Sequence, residues 1–183
     1  MSPTQQSRGR TTSITSTGRE EPLQVLIAED DPINLKILQK RLERAGHQVH
    51  HAVNGRDCAT LYKDKSPSFD LVLMDMQMPI VDGLESTKMI REIEASPEHA
   101  GHSGFASANG RIPIFAVSAS LEESKKDIYT DAGFDGWILK PIDFSRLSTL
   151  LAGTHDQQAR RSNLYSPGEW ERGGWFVPAS EAA

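Results

Sequence analysis

Cysteine is nearly missing. Cys58 is the only one in 183 residues, so neither an intrachain disulfide nor a zinc site built on several thiolates can form. Long apolar runs are missing too: none approaches the ~20 residues that cross a bilayer, and no signal-peptide core follows Met1. Excess positive charge is absent as well. Twenty Lys and Arg stand against 25 Asp and Glu, a net charge of -5, without the basic footprint of a general nucleic-acid binder. Hydrophobic residues make up 37% of the chain, below the globular average, so part of it is expected outside any core. Internal repeats and a Walker-type glycine loop are also absent. These absences leave the expectation of a soluble intracellular chain with one core and no membrane or direct nucleic-acid partner.

Composition divides what is there into three parts. Residues 1–21 are rich in Ser, Thr, Gln and Arg, with Ile14 the only large aliphatic after Met1. They cannot bury enough apolar surface to offset ordering entropy, so a disordered N-terminal tail is expected. Arg8, Arg10 and Arg19 give them a transit-peptide flavour, but no apolar stripe supports an amphipathic helix. Residues 153–183 form a second polar tail that nonetheless holds Tyr165, Trp170, Trp175 and Phe176. Residues 22–152 alternate strand with helix. Segments at 23–28, 48–53, 69–74, 112–117 and 136–139 read as strands, 69–74 as a near-continuous apolar run. Helical patterns follow at 32–45, 56–63, 84–95, 121–132 and 144–151, with Asp31-Pro32 as the first start signal. In the first helix Ile33, Ile37, Leu38, Leu42 and Ala45 recur at helical spacing. Residues 96–111 read as a loop insertion. Five strands alternating with five helices predict a parallel sheet covered on both faces.

Charge gathers at three strand ends. The first strand runs into Glu29, Asp30 and Asp31, the third into Asp75, and the fifth into Lys140-Pro141. Ligands of open parallel sheets bind at the carboxyl ends of strands, which places Glu29, Asp30, Asp75 and Lys140 in one pocket. Clustered carboxylates call for a cation, and their oxygens suit Mg²⁺. A lysine beside them suits a phosphoryl group, with one aspartate as nucleophile. Any one of these residues alone would read as a solvated loop residue; four at three strand ends do not. His47, His50 and His51 surround the second strand, but adjacent His50 and His51 point to opposite faces and make a poor metal site. His99 and His102 read as loop histidines, and Cys58 as a small packing residue.

Four segments, VLIAEDDPINLKIL (25–38), DLVLMDMQMPIVDGLES (70–86), IPIFAVSAS (112–120) and AGFDGWILKPI (132–142), together carry a family resemblance. The chain resembles a receiver domain of two-component phosphorelays, most like those of fungal hybrid histidine kinases. That resemblance implies a flavodoxin-like five-stranded parallel sheet of order 2-1-3-4-5 with five helices on two faces. It implies Asp75 as phosphoacceptor and Mg²⁺ held by Asp30, Asp75 and the Gln77 backbone carbonyl, with Glu29 acting through water. Lys140 and Ser118 would contact the phosphoryl oxygens, and the Lys140-Pro141 peptide would be cis. The donor would be a histidine kinase or a histidine phosphotransfer protein, and the chain a monomer or weak dimer. It would be either a stand-alone receiver or a piece of a hybrid kinase, working in the cytoplasm and also the nucleus.

Some positions depart from the family pattern. Ser118 stands where threonine is commoner, Glu29 where aspartate is, and Trp137 where the switch residue is usually tyrosine or phenylalanine. Gln77 and Ser120, which in the family influence hydrolysis of the aspartyl phosphate, are not acidic, so a phosphoryl lifetime of minutes or longer is expected. A pseudo-receiver that only binds partners would be expected to lose the aspartate, lysine or metal carboxylates, and all are present. A haloacid-dehalogenase-like phosphatase would need a DxD after the nucleophile, and Asp75-Met76-Gln77 lacks it. The aromatic tail is open to two readings. It is a solvated end, or Trp170 and Trp175 dock on an apolar surface, with Gly173 and Gly174 turning Trp175 back towards Trp170.

Overall fold

The apolar runs at 69–74 and 112–117 become strands buried along their whole length, whereas the strand within 48–53, at the sheet edge, buries only Ala52. The computed structural model describes residues 21–65, 69–99, 111–178 and 181. The N-terminal segment 1–20 and residues 100–110 of the expected insertion lie outside the described residues. The order is β1 (Gln24–Ala28), α1 (Pro32–Arg44), β2 (Gln48–Ala52), α2 (Gly55–Lys65), β3 (Leu71–Asp75), α3 (Gly83–Ala95) and β4 (Ile114–Ser118). A 3-10 turn (Glu123–Lys125) leads into α4 (Lys126–Ala132), β5 (Gly136–Leu139) and α5 (Phe144–Ala152). Beyond these come α6 (Gln157–Arg161), a second 3-10 turn (Trp170–Arg172) and β6 (Gly174–Trp175).

The sheet order is β2-β1-β3-β4-β5-β6. The first five strands pair in parallel, as expected, and β6 pairs antiparallel with β5 through Gly136 with Trp175 and Trp137 with Gly174. The expected five-stranded sheet therefore gains a sixth strand, and the five expected helices gain α6. Both additions come from the polar tail.

Alternation along each strand divides the core into two layers. Val25, Ile27, Leu71, Leu73, Phe115, Val117 and Ile138 face α1 and α5, meeting Leu35, Leu38, Leu42, Leu147, Leu150 and Leu151. Leu26, Val72, Met74, Ile114, Ala116 and Trp137 face α2, α3 and α4, meeting Cys58, Tyr62, Ile90 and Tyr129. Asp31 caps α1, its carboxylate accepting from the Ile33 and Asn34 amides, with Pro32 at the first helical position. The buried stripe of α1 differs from the sequence expectation. It runs through Leu35, Leu38 and Leu42, while Ile33 and Ile37 are 69% and 48% exposed. Position 33 lies two residues, about 200° of helical rotation, from position 35, so both cannot face the sheet. Among the described residues no helix is long and apolar enough to cross a membrane.

Candidate functional site

Strand order reverses between β1 and β3, since β2 lies beyond β1 on one side and β4 beyond β3 on the other. The crevice at that switch point is where open α/β sheets bind ligands. Glu29 and Asp30 leave the end of β1, and Asp75 closes β3. Their carboxylate oxygens lie within 4.8 Å of one another, Glu29 and Asp75 buried and Asp30 exposed. Lys140 enters from the end of β5, where its peptide bond to Pro141 is cis. Its ammonium donates to Glu29 Oε2 at 2.7 Å and to Asp75 Oδ2 at 3.1 Å. The four residues the sequence placed in one pocket do meet there.

The electrostatics leave room for a further cation. Three carboxylates against one ammonium leave the cluster two charges negative when all are ionised. Burial pushes the Glu29 carboxyl above its ordinary range, and the Asp75 charge adds to that, although the Lys140 ammonium and the Asp31 N–H oppose it. Burial by itself would lower the Lys140 pKa, but its hydrogen bonds to Glu29 and Asp75 outweigh that and hold it above the usual lysine value. Oxygen donors crowded around unneutralised charge are what a hard divalent ion takes. The donor set therefore fits Mg²⁺.

The remaining predicted residues divide in two. Gln77 lies in the loop after β3, and its backbone N–H donates to Asp75 Oδ1 at 3.0 Å, fixing the carboxylate's free side. Its side chain reaches Ser120, with Nε2 3.4 Å from Oγ. Ser118 ends β4 one position beyond Val117, the register partner of Asp75. The Ser118 hydroxyl accepts from the Ser120 N–H at 3.2 Å and pairs with the Ser120 hydroxyl at 3.2 Å. Trp137 is not part of this cluster. It lies on the same sheet face as Ser118 but is 1% exposed, stacked on Trp170 at 4.4 Å and on Phe176 at 5.0 Å.

Gly83 was not singled out by the sequence argument. A Cβ there would lie 2.1 Å from the Asp75 carbonyl oxygen, so only glycine lets the start of α3 close against the end of β3. The signal was available in Asp82-Gly83, where Asp82 caps α3 through the Glu85 amide. The histidines form no rival centre. His47 Nδ1 accepts from the Leu23 amide, and the ring of His50 meets Phe69 edge-on. Among the described residues, the acidic trio is the only such group of three or more potential metal-ligating side chains. His102 lies outside the described residues.

The tail places its aromatics on both faces of the sheet edge. Trp170 and Phe176 join the layer of Trp137, while Trp175 joins the opposite layer and meets Phe115 edge-on at 4.7 Å. Gly173 and Gly174 thus do not return Trp175 to Trp170. They bring the tail's backbone against β5: Gly173 has φ 67°, and a Cβ on it would lie 2.7 Å from the Trp137 carbonyl oxygen.

Comparison with known proteins agrees with this geometry. A family model described as the response regulator receiver domain matches residues 25–152. The chain is 38% identical over 125 residues to hybrid signal transduction histidine kinase I of Dictyostelium discoideum, covering 67% of this chain and 7% of that protein. It is 33% identical over 163 residues to the response regulator SSK1 of Arthrobotrys oligospora, covering 79% of this chain and 15% of that protein. The chain thus spans only a small part of the length of these relatives. Among solved structures, the Saccharomyces cerevisiae complex of the histidine phosphotransfer protein Ypd1 with the Ssk1 receiver domain matches at TM-score 0.60 and 27% identity, over 75% of this chain and 92% of that one. The receiver domain of sensor histidine kinase PA1611 from Pseudomonas aeruginosa PAO1, solved with magnesium in its active-site cleft, shares the fold at TM-score 0.56 and 22% identity, over 72% of this chain and 95% of that one. Since the family model spans 25–152 and relatives of 30% identity and more cover two thirds of the chain, the chain belongs to the response regulator receiver domain family.

Proposed function

We propose that Asp75 accepts a phosphoryl group from a phosphohistidine and that the resulting aspartyl phosphate changes which partners the chain binds. The observation that carries this is the Lys140 ammonium bridging Glu29 and Asp75 beside a third carboxylate at the switch point. A carboxylate is a weak nucleophile, so positioning and charge neutralisation must lower the barrier. The Gln77 N–H and Lys140 hold the two Asp75 oxygens in a fixed direction. One of those oxygens attacks phosphorus, the P–N bond to the imidazole breaks, and the leaving imidazole nitrogen regains its proton. Lys140 and Ser118 meet the charge on the transferring oxygens. Asp30 and Asp75 would hold Mg²⁺ directly, the Gln77 carbonyl would be a further ligand, and Glu29 would act through water; the ion, when bound, neutralises phosphoryl oxygens. Neither Gln77 nor Ser120 supplies a general base for attacking water, so the phosphoryl group persists for minutes or longer.

The partner reading rests on the rim of this site. Ile33, Val53 and Ile80 sit on the loops and first helical turn beside the acceptor, with Ile37 one turn along α1, and all four are exposed. Such a patch suits a helical phosphodonor that docks by apolar contact. The Ypd1 complex of the Ssk1 receiver supports the same class of partner, a histidine phosphotransfer protein.

Incubation with Mg²⁺ and acetyl phosphate tests the reading. The expected result is a base-labile mass gain of one phosphoryl group, lost in Asp75→Asn with the fold intact. Decay of the purified phosphoprotein measures the lifetime, and loss within seconds contradicts it. Ile33→Asp should slow transfer from a phosphotransfer protein about tenfold while leaving acetyl phosphate uptake unchanged, since one buried aliphatic side chain contributes about that much. A folded protein that gains no adduct is instead an interaction module.

A further inference from the structure

Segment 164–176 takes no part in the acidic site, yet it grips the loop that carries Ser118. Its own attachment lies along β5. There Gly174 and Trp175 pair with Trp137 and Gly136, and the Phe176 amide donates to the Asp135 carbonyl just before β5. Hydrogen bonds from the Trp175 amide to the Asn163 carbonyl and from the Tyr165 amide to the Trp175 carbonyl fold the tail on itself. The Arg146 guanidinium clamps the strap from α5 by donating to the Arg172 and Gly173 carbonyls. From this anchorage the strap reaches inward. The Trp170 indole N–H donates to the Leu121 carbonyl at 3.1 Å, and the Tyr165 hydroxyl donates to the Glu123 carboxylate at 2.6 Å. Trp170 also stacks on Trp137 and Tyr129, and the Trp137 indole N–H donates back to the Trp170 carbonyl at 2.9 Å.

Leu121 and Glu123 follow directly on Ser118 and Ser120. In the structure the Ser118 hydroxyl is engaged by the Ser120 amide and hydroxyl. A phosphoryl group on Asp75 would compete with the Ser120 hydroxyl for the Ser118 proton, and drawing Ser118 towards it would shift the residues 119–122 that follow. The strap holds this loop where it is, one residue beyond Ser120.

We propose that the segment 164–176 is an internal restraint that favours the unphosphorylated arrangement, so that a phosphoryl group on Asp75 and the docked strap oppose each other through the Trp170–Leu121 contact. The proposal rests on the reading of Asp75 as phosphoacceptor. Opposition of this kind is reciprocal: whatever factor the strap takes from phosphoryl binding, the phosphoryl group takes from strap docking. Trp137, stacked against both Trp170 and Phe176, is part of the restraint and not a freely turning ring.

Beryllofluoride with Mg²⁺ serves as the phosphoryl probe, its affinity for the full chain read by fluorine NMR. Trp170→Phe keeps a ring in the stack and deletes the N–H to Leu121; Tyr165→Phe deletes the hydroxyl to Glu123. Each should bind beryllofluoride about fivefold more tightly than the unaltered chain, the worth of one hydrogen bond. In the unaltered chain, saturating beryllofluoride should speed hydrogen exchange at the Tyr165 and Phe176 amides. Thermal unfolding shows which variants remain folded, and Tyr165→Phe decides the matter if Trp170→Phe does not fold. Equal or weaker affinity in the folded variants, or exchange unchanged at saturation, overturns the proposal. A chain that binds no beryllofluoride overturns the phosphoacceptor reading itself, and the restraint with it.

Discussion

Lys140 is the residue on which the site's charge balance turns. It is the single cation on two buried carboxylates, and its loss leaves both without a hydrogen-bonded counter-charge. Lys140→Ala should cut the rate of acetyl phosphate uptake by about 10²-fold, the usual consequence of removing one donor from a developing anion. A rate within threefold of the unaltered chain would remove Lys140 from the chemistry. Cys58 shows the opposite kind of residue. Burial pushes its thiol up to about 12, against a small opposing effect from its hydrogen bond with Ser86. The thiolate is the reactive form, and a raised pKa leaves almost none of it at neutral or mildly alkaline pH. Iodoacetamide at pH 8 should therefore leave the folded chain unmodified and label it once in denaturant, as intact mass will show.

The elements differ in how plainly the sequence announced them. FDLVLM and IPIFAVS read as strands because a segment buried on both faces needs no polar alternation, and β3 and β4 lie within two residues of those runs. The site followed from them, since Glu29, Asp30, Asp75 and Lys140 are fixed by where strands end. The role of Ile33 and Ile37 did not follow. Periodicity finds an apolar helical face, but which of two overlapping stripes meets the sheet depends on the angle of packing. β6 was illegible for another reason. Two residues, Gly174 and Trp175, have no period; their strand exists because the tail backbone pairs with β5, with Arg146 of α5 fixing the Gly173 carbonyl just before it. Trp175 carries that element. Its indole N–H donates to the Leu150 carbonyl, and the Arg160 guanidinium lies 4.1 Å from its ring. Trp175→Ala should cost about 3–5 kcal/mol. Calorimetry should then show unfolding roughly 10 °C lower. An unchanged midpoint would mean that the tail contributes nothing to the core.

At the scale of the whole molecule, the tail decides what the sheet shows to the outside. Without β6, strand β5 would present an unpaired edge beside the large apolar face of Trp137, a template for pairing with another chain. Ending the chain at residue 162 should therefore raise the average mass in solution above that of the full chain at equal raised concentration, read by light scattering. A truncated chain without that rise would show that β5 needs no cover. The stack beneath the tail has an optical consequence as well. Trp137 and Trp170 lie 4.4 Å apart and 13° from parallel, close enough for the electronic transitions of the two indoles to mix. Where the in-plane transitions of such stacked indoles are skewed to one another, they give a paired positive and negative band in circular dichroism that neither gives alone. The docked state thus carries its own colourless label, which vanishes whenever the two rings part.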